Sequence, residues 1–427
     1  MDNLDCKLFE EILKVELVPA MGCTEPIALA YGAAYAAHLL GELPQRVEAS
    51  VSGNLVKNAK SVTVPGTGGL CGIEAAIAAG VISAKPEKKL EVLACLDDGD
   101  RAELLKYLSK KPVTVSFSDS PLAFDFTVTA YSQGGYSKVR LANAHTNIVY
   151  AEVNGRILCS TAVSDETVDG MTKRDFLTVE NIFKYVNEAD ISAVQPLIER
   201  QIEYNLEIAK EGLKNPWGAS IGKTLLAMSD EPFCRAKALA AAASDARMNG
   251  CPLPVIIVSG SGNQGITASL PVFAYWEAMG LEREKLIRGV LLSDLITLHL
   301  KSSIGRLSAF CGAVCAGAGA GAGICYLDGG GFREVAHTLV NALAVSSGII
   351  CDGAKSSCAG KIALSVEAGI LGWQMYKHGN QYHGGEGIIT KGVENTIRNI
   401  GLLGHDGMKE TDRKIMEIML TSSSSEM

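Results

Sequence analysis

The chain has 427 residues, of which 47% are hydrophobic and 20% are charged. This balance is typical of a globular protein and excludes wholesale disorder. The net charge of −8, with Lys and Arg spread along the chain, excludes nucleic acid as the main partner. A chain of this length usually holds more than one hydrophobic core, so two domains are expected.

The N-terminal segment predicts two helices, over residues 4–16 and 25–41, joined by a turn that contains Cys23. The first helix is charged and lacks the apolar region of a signal peptide, so a cytoplasmic protein is expected. The second is apolar on all sides and is expected to be buried. Thr24 is its predicted N-cap. Cys23 therefore lies at the positive end of a helix, where a thiolate is stabilised.

The middle of the chain predicts strands, and the remainder predicts helices. Short β-branched runs such as LEVLACL (90–96) and DFTVTA (125–130) alternate with turn signals up to about residue 163. The predicted fold class is α+β: a mostly α-helical catalytic domain built from both chain ends, residues 1–42 and 172–427, with a smaller α+β domain, residues 43–171, inserted between them. The helices predicted after residue 172 span 178–187, 190–212, 234–247, 269–279, 283–301, 305–325, 331–347, 357–377 and 390–402.

Two glycine-rich segments invite a nucleotide-binding interpretation, and neither supports it. Residues 311–323 alternate Gly and Ala, but they follow a helix-like stretch instead of the strand that a dinucleotide fingerprint requires. Residues 218–224 have one residue too few between their glycines for a Walker loop. The first segment predicts close packing of helix backbones. Residues 307–327, the most apolar run, are accordingly expected to be a buried helix instead of a membrane span.

The cysteines carry the first chemical signal. There are twelve, in a chain without a secretion signal, so disulfides are not expected. Two pairs stand in glycine-rich sequence, Cys311 with Cys315 and Cys351 with Cys358. Together with Cys23 they put thiols at helix termini and tight turns, where iron–sulfur clusters find their thiolate ligands. Spacing alone leaves buried structural cysteines as the alternative. A zinc site is disfavoured, because no second close Cys or His pair has the usual spacing.

A polar, glycine-rich loop follows the strand-like segment PVIIV. Its hydroxyls, amides and flexible backbone suit the binding of a carboxylate better than that of a metal. An ordinary tight turn is the alternative. The candidate substrate-binding residues are Ser259, Ser261, Asn263 and Gln264, with Asn54 in a similar loop earlier in the chain.

Six segments together resemble one known family over nearly the whole chain. They are GCTEPIALA (22–30), VPGTGG (64–69), SGSGNQGI (259–266), FCGAVCAGAGAGAG (310–323), GIICDGAKSSCAGKIA (348–363) and TIRNIGLLGHDGMKETD (396–412). The chain resembles the cysteine desulfidase-like family, which is akin to the α part of bacterial iron–sulfur L-serine dehydratases.

This resemblance implies a [4Fe–4S] cluster on three cysteines, with one iron open to substrate. Matched residue by residue, it implies Cys23, Cys311 and Cys351 as ligands, with Cys315 and Cys358 as neighbours that could replace them. The serine dehydratases differ in the spacing of the last cysteine pair and carry a Ser/His-rich motif that this sequence lacks, so the general base is open. The candidates for the base are Lys355, His383 and the hydroxyl of Ser356 or Ser357, and the glycine-flanked His383 is the most loop-like of the seven histidines.

The function that follows is a lyase independent of pyridoxal phosphate, which converts L-cysteine into pyruvate, ammonia and sulfide. The alternatives are an L-serine dehydratase-type deaminase and a non-catalytic amino-acid-binding protein. The expected partner is a small-molecule amino acid, with no nucleic acid and no membrane. The Gly/Ala-rich helices and acidic surface are compatible with a homodimer.

Overall fold

The computed structural model of the protein describes residues 3–118, 120, 122, 124–163, 174–305 and 308–422. The helices are α1 Asn3–Glu16, α2 Thr24–Leu40, α3 Gly53–Ala59, α4 Ile73–Ser83, α5 Asp98–Leu108, α6 Val179–Glu188, α7 Gln195–Lys214, α8 Ile221–Met228, α9 Pro232–Met248, α10 Gly262–Met279, α11 Arg283–Ile304, α12 Gly312–Leu327, α13 Phe332–Ser346, α14 Cys358–Lys377, α15 Val393–Leu402 and α16 Lys409–Ser422. The strands are β1 Pro19–Met21, β2 Arg46–Ser52, β3 Val113–Ser118, β4 Asp125–Ser132, β5 Gly135–Ala142, β6 Ile148–Val153, β7 Arg156–Ser160 and β8 Pro254–Ile256. The predicted α+β class with a mostly helical chain is confirmed.

A six-stranded sheet forms in the order β3-β2-β4-β5-β6-β7, with β2 and β3 parallel and the other neighbours antiparallel. Its strands alternate, so that Phe126 and Val128 of β4 are buried. Helix α2 covers this buried face: the hydroxyl of Ser137 on β5 donates to the Ala36 carbonyl oxygen at 2.7 Å. A Cβ atom added at Gly32 would lie 2.7 Å from the Phe126 ring, so α2 approaches the sheet as closely as a glycine allows.

The second sheet is small but positions much of the candidate site. Strands β1 and β8 pair antiparallel, with Pro19 opposite Ile256 and Met21 opposite Pro254. The pairing joins two segments that are far apart in the sequence, and the chain after β1 also contacts the chain after β8. The Thr24 hydroxyl donates to the Gly260 carbonyl oxygen at 3.0 Å across this contact.

Helix α12 lies at the centre of the helical part and is buried along almost its whole length. Its glycines let neighbouring backbones approach. A Cβ atom added at Gly317 would lie 2.3 Å from the Ser365 carbonyl oxygen of α14, and one at Gly319 would lie 2.6 Å from the Ser293 carbonyl oxygen of α11. The Gly/Ala run thus serves close helix packing, as predicted. Across the described residues, every helix is too short or too polar to span a bilayer.

The structure corrects two local predictions. Helix α10 begins at Gly262, seven residues before the predicted start, so that part of the predicted loop is helical. The run at 90–96 is no strand, since a 3₁₀-helix, Pro86–Glu91, leads into a turn there. Its apolar residues are buried all the same: Leu93 is 1% exposed, and Ser83 donates to the Val92 carbonyl oxygen at 2.6 Å. Burial of a short apolar run does not require a strand.

The predicted division into two domains stays a prediction. The boundary between residues 171 and 172 lies outside the described residues. Helix α2, which belongs to the N-terminal segment, packs against α4, β4 and β5. One continuous hydrophobic core includes Phe126 of the sheet and Leu295 of the helical part.

A buried carboxyl in the helical core leads to a pH-dependent prediction. Asp294 of α11 is 0% exposed and accepts a hydrogen bond from Gln201 Nε2 at 2.9 Å. Burial raises its pKa to about 8, whereas an unfolded Asp titrates near about 4. At a pH between these two pKa values, the unfolded chain has lost a proton that the folded chain keeps. The free energy of unfolding therefore falls by about 1.4 kcal/mol per pH unit as the pH rises.

We expect Asp294→Asn to remove this slope. The variant should be more stable than the wild type by a few kcal/mol near pH 8, and the difference should vanish near pH 4. Urea unfolding midpoints at several pH values measure this. Two curves with the same pH dependence would contradict the prediction.

Candidate active site

One cavity of about 100 Å³ gathers most of the side chains that the sequence singled out. Its walls come from the starts of α2, α10, α12 and α14, from α3, and from the last turns of α9 and α11. The polar and thiol-bearing residues that line it include Cys23, Thr24, Glu25, Asn58, Arg247, Ser261, Asn263, Gln264, Lys301, Cys311, Cys351 and Cys358.

Backbone pairing and the start of a helix fix the positions of three of the cysteines. The Cys311 N–H donates to the Ile349 carbonyl oxygen at 3.1 Å, and the Cys351 N–H donates to the Ala309 carbonyl oxygen at 2.6 Å. This contact sets the segments of Cys311 and Cys351 side by side. Cys311 is also the N-cap of α12, and Cys358 is the first residue of α14. Two closely packed helices therefore begin at the same cavity with a cysteine each.

These three thiols interact electrostatically. Burial raises the pKa of Cys311 to about 12, and the charge of Cys351 adds to the shift. Burial also raises the pKa of Cys358, again with a contribution from Cys351, whereas the Lys361 cation opposes both shifts. Thiols of this kind stay protonated in the free protein and ionise when a metal takes up their charge.

Cys23 has a different environment. It is the N-cap of α2, in place of the predicted Thr24, and its thiol donates to Glu25 Oε2 at 2.9 Å. Glu25 Oε1 lies 3.9 Å from His145 Nε2. Burial opposes ionisation of Glu25, but His145 and the Cys23 thiol outweigh it and lower the pKa of Glu25 to about 2.

The charge on Glu25 in turn acts on Cys23. Burial and the Glu25 carboxylate raise the pKa of the Cys23 thiol well above its ordinary value. The expectation that the helix end stabilises a thiolate here is therefore wrong. A hydrogen-bonded carboxylate beside the sulfur outweighs the partial positive charge of the helix terminus.

Two buried cations also line the cavity, and the sequence interpretation missed both. Arg247 and Lys301 are each 3% exposed, and no carboxylate of the described chain forms an ion pair with either. Burial lowers the pKa of both groups. The charges of Cys315, Cys351 and Cys311 favour the Lys301 cation, and those of Cys23 and Glu25 favour the Arg247 cation. The signal that the sequence offered for these cations was one charged residue near the end of each apolar helix, Arg247 in an Ala-rich helix and Lys301 in a Leu-rich one.

The predicted substrate loop reaches the cavity in part. Ser259 and Gly260 adopt positive φ angles of 49° and 74°, and Ser261 is the N-cap of α10. Asn263 lies in the first turn and accepts a hydrogen bond from the Ser244 hydroxyl at 3.2 Å. Ser261, Asn263 and Gln264 line the cavity, whereas the buried Ser259 does not. The side chain of Asn54 lies outside the described residues, and its backbone belongs to α3.

The three predicted bases lie away from the cavity wall. Lys355 Nζ pairs with Asp352 Oδ2 at 2.6 Å, and the Ser356 hydroxyl donates to Asn249 Oδ1 at 2.8 Å. Both sit on the short segment between Cys351 and Cys358. His383 lines a separate cavity beside α13.

Cys315, one turn into α12, does not line the cavity either. It is fully buried, and burial raises its pKa to about 11. In the part of the chain that the structure describes, no group of three or more His, Cys, Asp or Glu side chains is arranged to hold a single metal ion.

Comparison with known proteins assigns the chain to a family. The family model described as serine dehydratase alpha chain matches residues 87–417. A UPF0597 protein of Desulfitobacterium hafniense is 54% identical over 415 residues, which cover 97% of this chain and 96% of the relative. A UPF0597 protein of Lachnoclostridium phytofermentans is 46% identical, covering 96% and 98%, and one of Finegoldia magna is 42% identical, covering 97% and 99%.

Proposed function

Since the chain belongs to the serine dehydratase alpha chain family, we propose that it is a lyase that removes the β-substituent of a small L-amino acid with the help of a [4Fe–4S] cluster. The preferred substrate is L-cysteine, which gives pyruvate, ammonia and sulfide. The observation that carries the proposal is the cavity itself, where four cysteines, two buried cations and the start of α10 meet.

The donor chemistry of the cavity suits a cluster better than a single ion. A cluster spreads its thiolate ligands over several irons, so they need not converge on one point. It also adds negative charge that the protein must offset. Lys301 and Lys361 lie close enough to Cys311 to interact with its charge, and α12 and α14 begin beside the sulfurs.

We assign the ligands as Cys311, Cys351 and Cys358, which differs from the set implied by resemblance in replacing Cys23 by Cys358. Cys23 donates to an ionised Glu25, so its thiolate would stand against a carboxylate at hydrogen-bond distance. The Arg247 charge acts on both thiols, but the Cys358 thiol has Lys361 as a second cationic neighbour and donates to the Gly353 carbonyl oxygen instead of to a carboxylate. A ligand thiolate is stabilised by nearby cations and destabilised by a nearby anion.

The bound cluster would supply a Lewis-acidic iron that assists departure of the β-heteroatom. The chain supplies the proton transfers. The Cys23 thiol, kept protonated by Glu25, donates a proton to the departing sulfur or oxygen. None of the three predicted bases lines the cavity, so none of them is assigned to take the α-proton.

The elimination balances without a redox partner. The substrate loses its α-proton and its β-sulfur as hydrogen sulfide, which leaves aminoacrylate. Aminoacrylate tautomerises to the imine, and water releases ammonia and pyruvate. With L-serine the same steps release water in place of hydrogen sulfide, so L-serine, the substrate in the family description, is the second candidate.

The test is turnover after anaerobic reconstitution with iron and sulfide. We expect bound iron together with pyruvate and sulfide from L-cysteine. Pyruvate from L-serine alone would make the protein a dehydratase. A protein that takes up no iron and releases no product would be a non-catalytic binder, and the proposal would fail.

A further inference from the structure

Arg247 is a buried cation that forms no ion pair with a carboxylate of the described residues, although the charge of Glu25 acts on it from a greater distance. Its Nε atom has no hydrogen-bond partner, and its Nη1 atom lies 4.0 Å from the Met248 sulfur. A buried guanidinium is costly unless it is hydrogen-bonded to an anion, for which its fork of donors is well shaped. Because Arg247 lines the cavity, a bound ligand is in a position to provide that anion.

The guanidinium lies directly over the start of α10. A Cβ atom added at Gly262 would lie 2.4 Å from Arg247 Nε. Ser261 makes no side-chain capping hydrogen bond, so the first N–H groups of this 18-residue helix have no such acceptor. A helix N-terminus and a guanidinium that point at one space form a site for a carboxylate.

Gln264 contributes a hydrogen-bond acceptor to the same cavity, whereas Arg247 and the start of α10 contribute donors. It is 3% exposed, and its Oε1 atom has no hydrogen-bond partner, whereas its Nε2 atom donates to the Ser259 carbonyl oxygen at 3.5 Å. A Cβ atom added at Gly312 would lie 2.8 Å from Gln264 Oε1, so the amide lies against the residue that follows Cys311. A buried, unpaired acceptor in this place suits an ammonium group.

We propose that Arg247 and the first turn of α10 bind the α-carboxylate of the substrate, and that Gln264 Oε1 accepts a hydrogen bond from its α-ammonium group. The cavity then selects free α-amino acids and rejects amines and acids that carry only one of the two groups. This selectivity rests on the proposed function, since it describes the substrate of that same cavity. Lys301 is left to offset the thiolates, because the anionic groups that act on it are cysteines.

The experiment measures binding as well as turnover, on the reconstituted protein. Calorimetry with L-alanine, which has no leaving group, is compared with ethylamine, propionate and L-alanine methyl ester. The variants are Arg247→Gln and Arg247→Lys. The matched control is Arg235→Gln on the same helix, where the arginine is 44% exposed and pairs with exposed acids, so that its loss has little effect.

We expect the wild type to bind L-alanine and none of the three analogues measurably. Arg247→Gln should weaken L-alanine binding and raise KM about 30-fold or more, as expected when a buried charge pair loses one partner. Arg247→Lys keeps the cation beside the Cys358 thiol, so its binding should fall between the two and its iron content should not change. Unchanged binding in Arg247→Gln, loss of iron in Arg247→Lys, or equal binding of the methyl ester would each overturn the proposal.

The wild-type ligand series gives a result even if Arg247→Gln does not fold. The outcomes also separate this proposal from the lyase itself. Arg247-dependent binding of L-alanine without any turnover would support the binding site and refute the lyase. Turnover of L-cysteine or L-serine with an unchanged KM in Arg247→Gln would support the lyase and refute the binding site.

Discussion

Replacing Cys358 by serine is expected to remove the cluster, whereas replacing Cys23 by serine is expected to leave it in place and abolish most of the turnover. A serine at position 358 takes away a ligand that has cations around it. Iron should drop from about four per chain to near zero, and the brown absorbance should disappear with it. Iron analysis and absorbance on anaerobically reconstituted protein measure both.

The Cys23→Ser variant separates the two roles that a cavity cysteine can have. If Cys23 is a proton donor hydrogen-bonded to Glu25, iron stays and turnover falls by roughly 100-fold or more. Cys315→Ser is the control, since this buried thiol does not line the cavity. It should keep both iron and most of the activity. Loss of iron in Cys23→Ser together with retention in Cys358→Ser would restore the ligand set of Cys23, Cys311 and Cys351.

The sequence predicted the chemical groups of the cavity better than their environments. The cysteines and the Ser259–Gln264 segment were found because unusual residue types stand in glycine-rich sequence. Arg247 and Lys301 were missed, because one charge in an apolar helix carries no sign of what it faces. That information exists only after α9, α10 and α11 pack together.

The ionisation state of Cys23 is a second property that the local sequence did not predict. The position of this residue at a helix N-terminus was predicted, yet burial, together with the Glu25 carboxylate two residues away, raises the pKa of the thiol and reverses the ionisation state expected from that position. That carboxylate also interacts with His145, in the segment between β5 and β6, whose Nε2 atom lies 3.9 Å from Glu25 Oε1. A long-range contact therefore decides a property that local sequence seemed to fix.

The start of α10 was misjudged for a related reason. Residues 259–266 are rich in Gly, Ser and Asn, which disfavour helix interiors, so local propensity predicts a loop. Tertiary packing overrides that propensity. A Cβ atom added at Gly265 would lie 1.9 Å from the Ile256 carbonyl oxygen, so the glycine is what lets the helix lie against β8.

The same kind of contact between α12 and α14 gives the second large expected effect, that of Gly317→Ala. The added methyl group would lie 2.3 Å from the Ser365 carbonyl oxygen and 2.8 Å from the Ser365 Cβ atom. Backbone atoms cannot rotate away as a side chain does, so the two helices must separate. Overpacking of this kind typically costs about 1–3 kcal/mol, and occasionally more.

Separation of these helices should also impair the site, because each begins with a proposed ligand, Cys311 before α12 and Cys358 at the start of α14. Gly317→Ala should therefore lower both the urea midpoint and the iron retained after gel filtration. Gly360→Ala is the matched control: it lies on α14 with no atom within 4 Å of the added Cβ. Because Gly360 lies in the first turn of α14, that change should stabilise by no more than the roughly 0.5–1 kcal/mol of a helix interior. Equal iron in the two variants, with Gly317→Ala clearly destabilised, would mean that the cavity tolerates movement of α12, and that backbone pairing between the Cys311 and Cys351 segments holds the ligands in place without the helix contact.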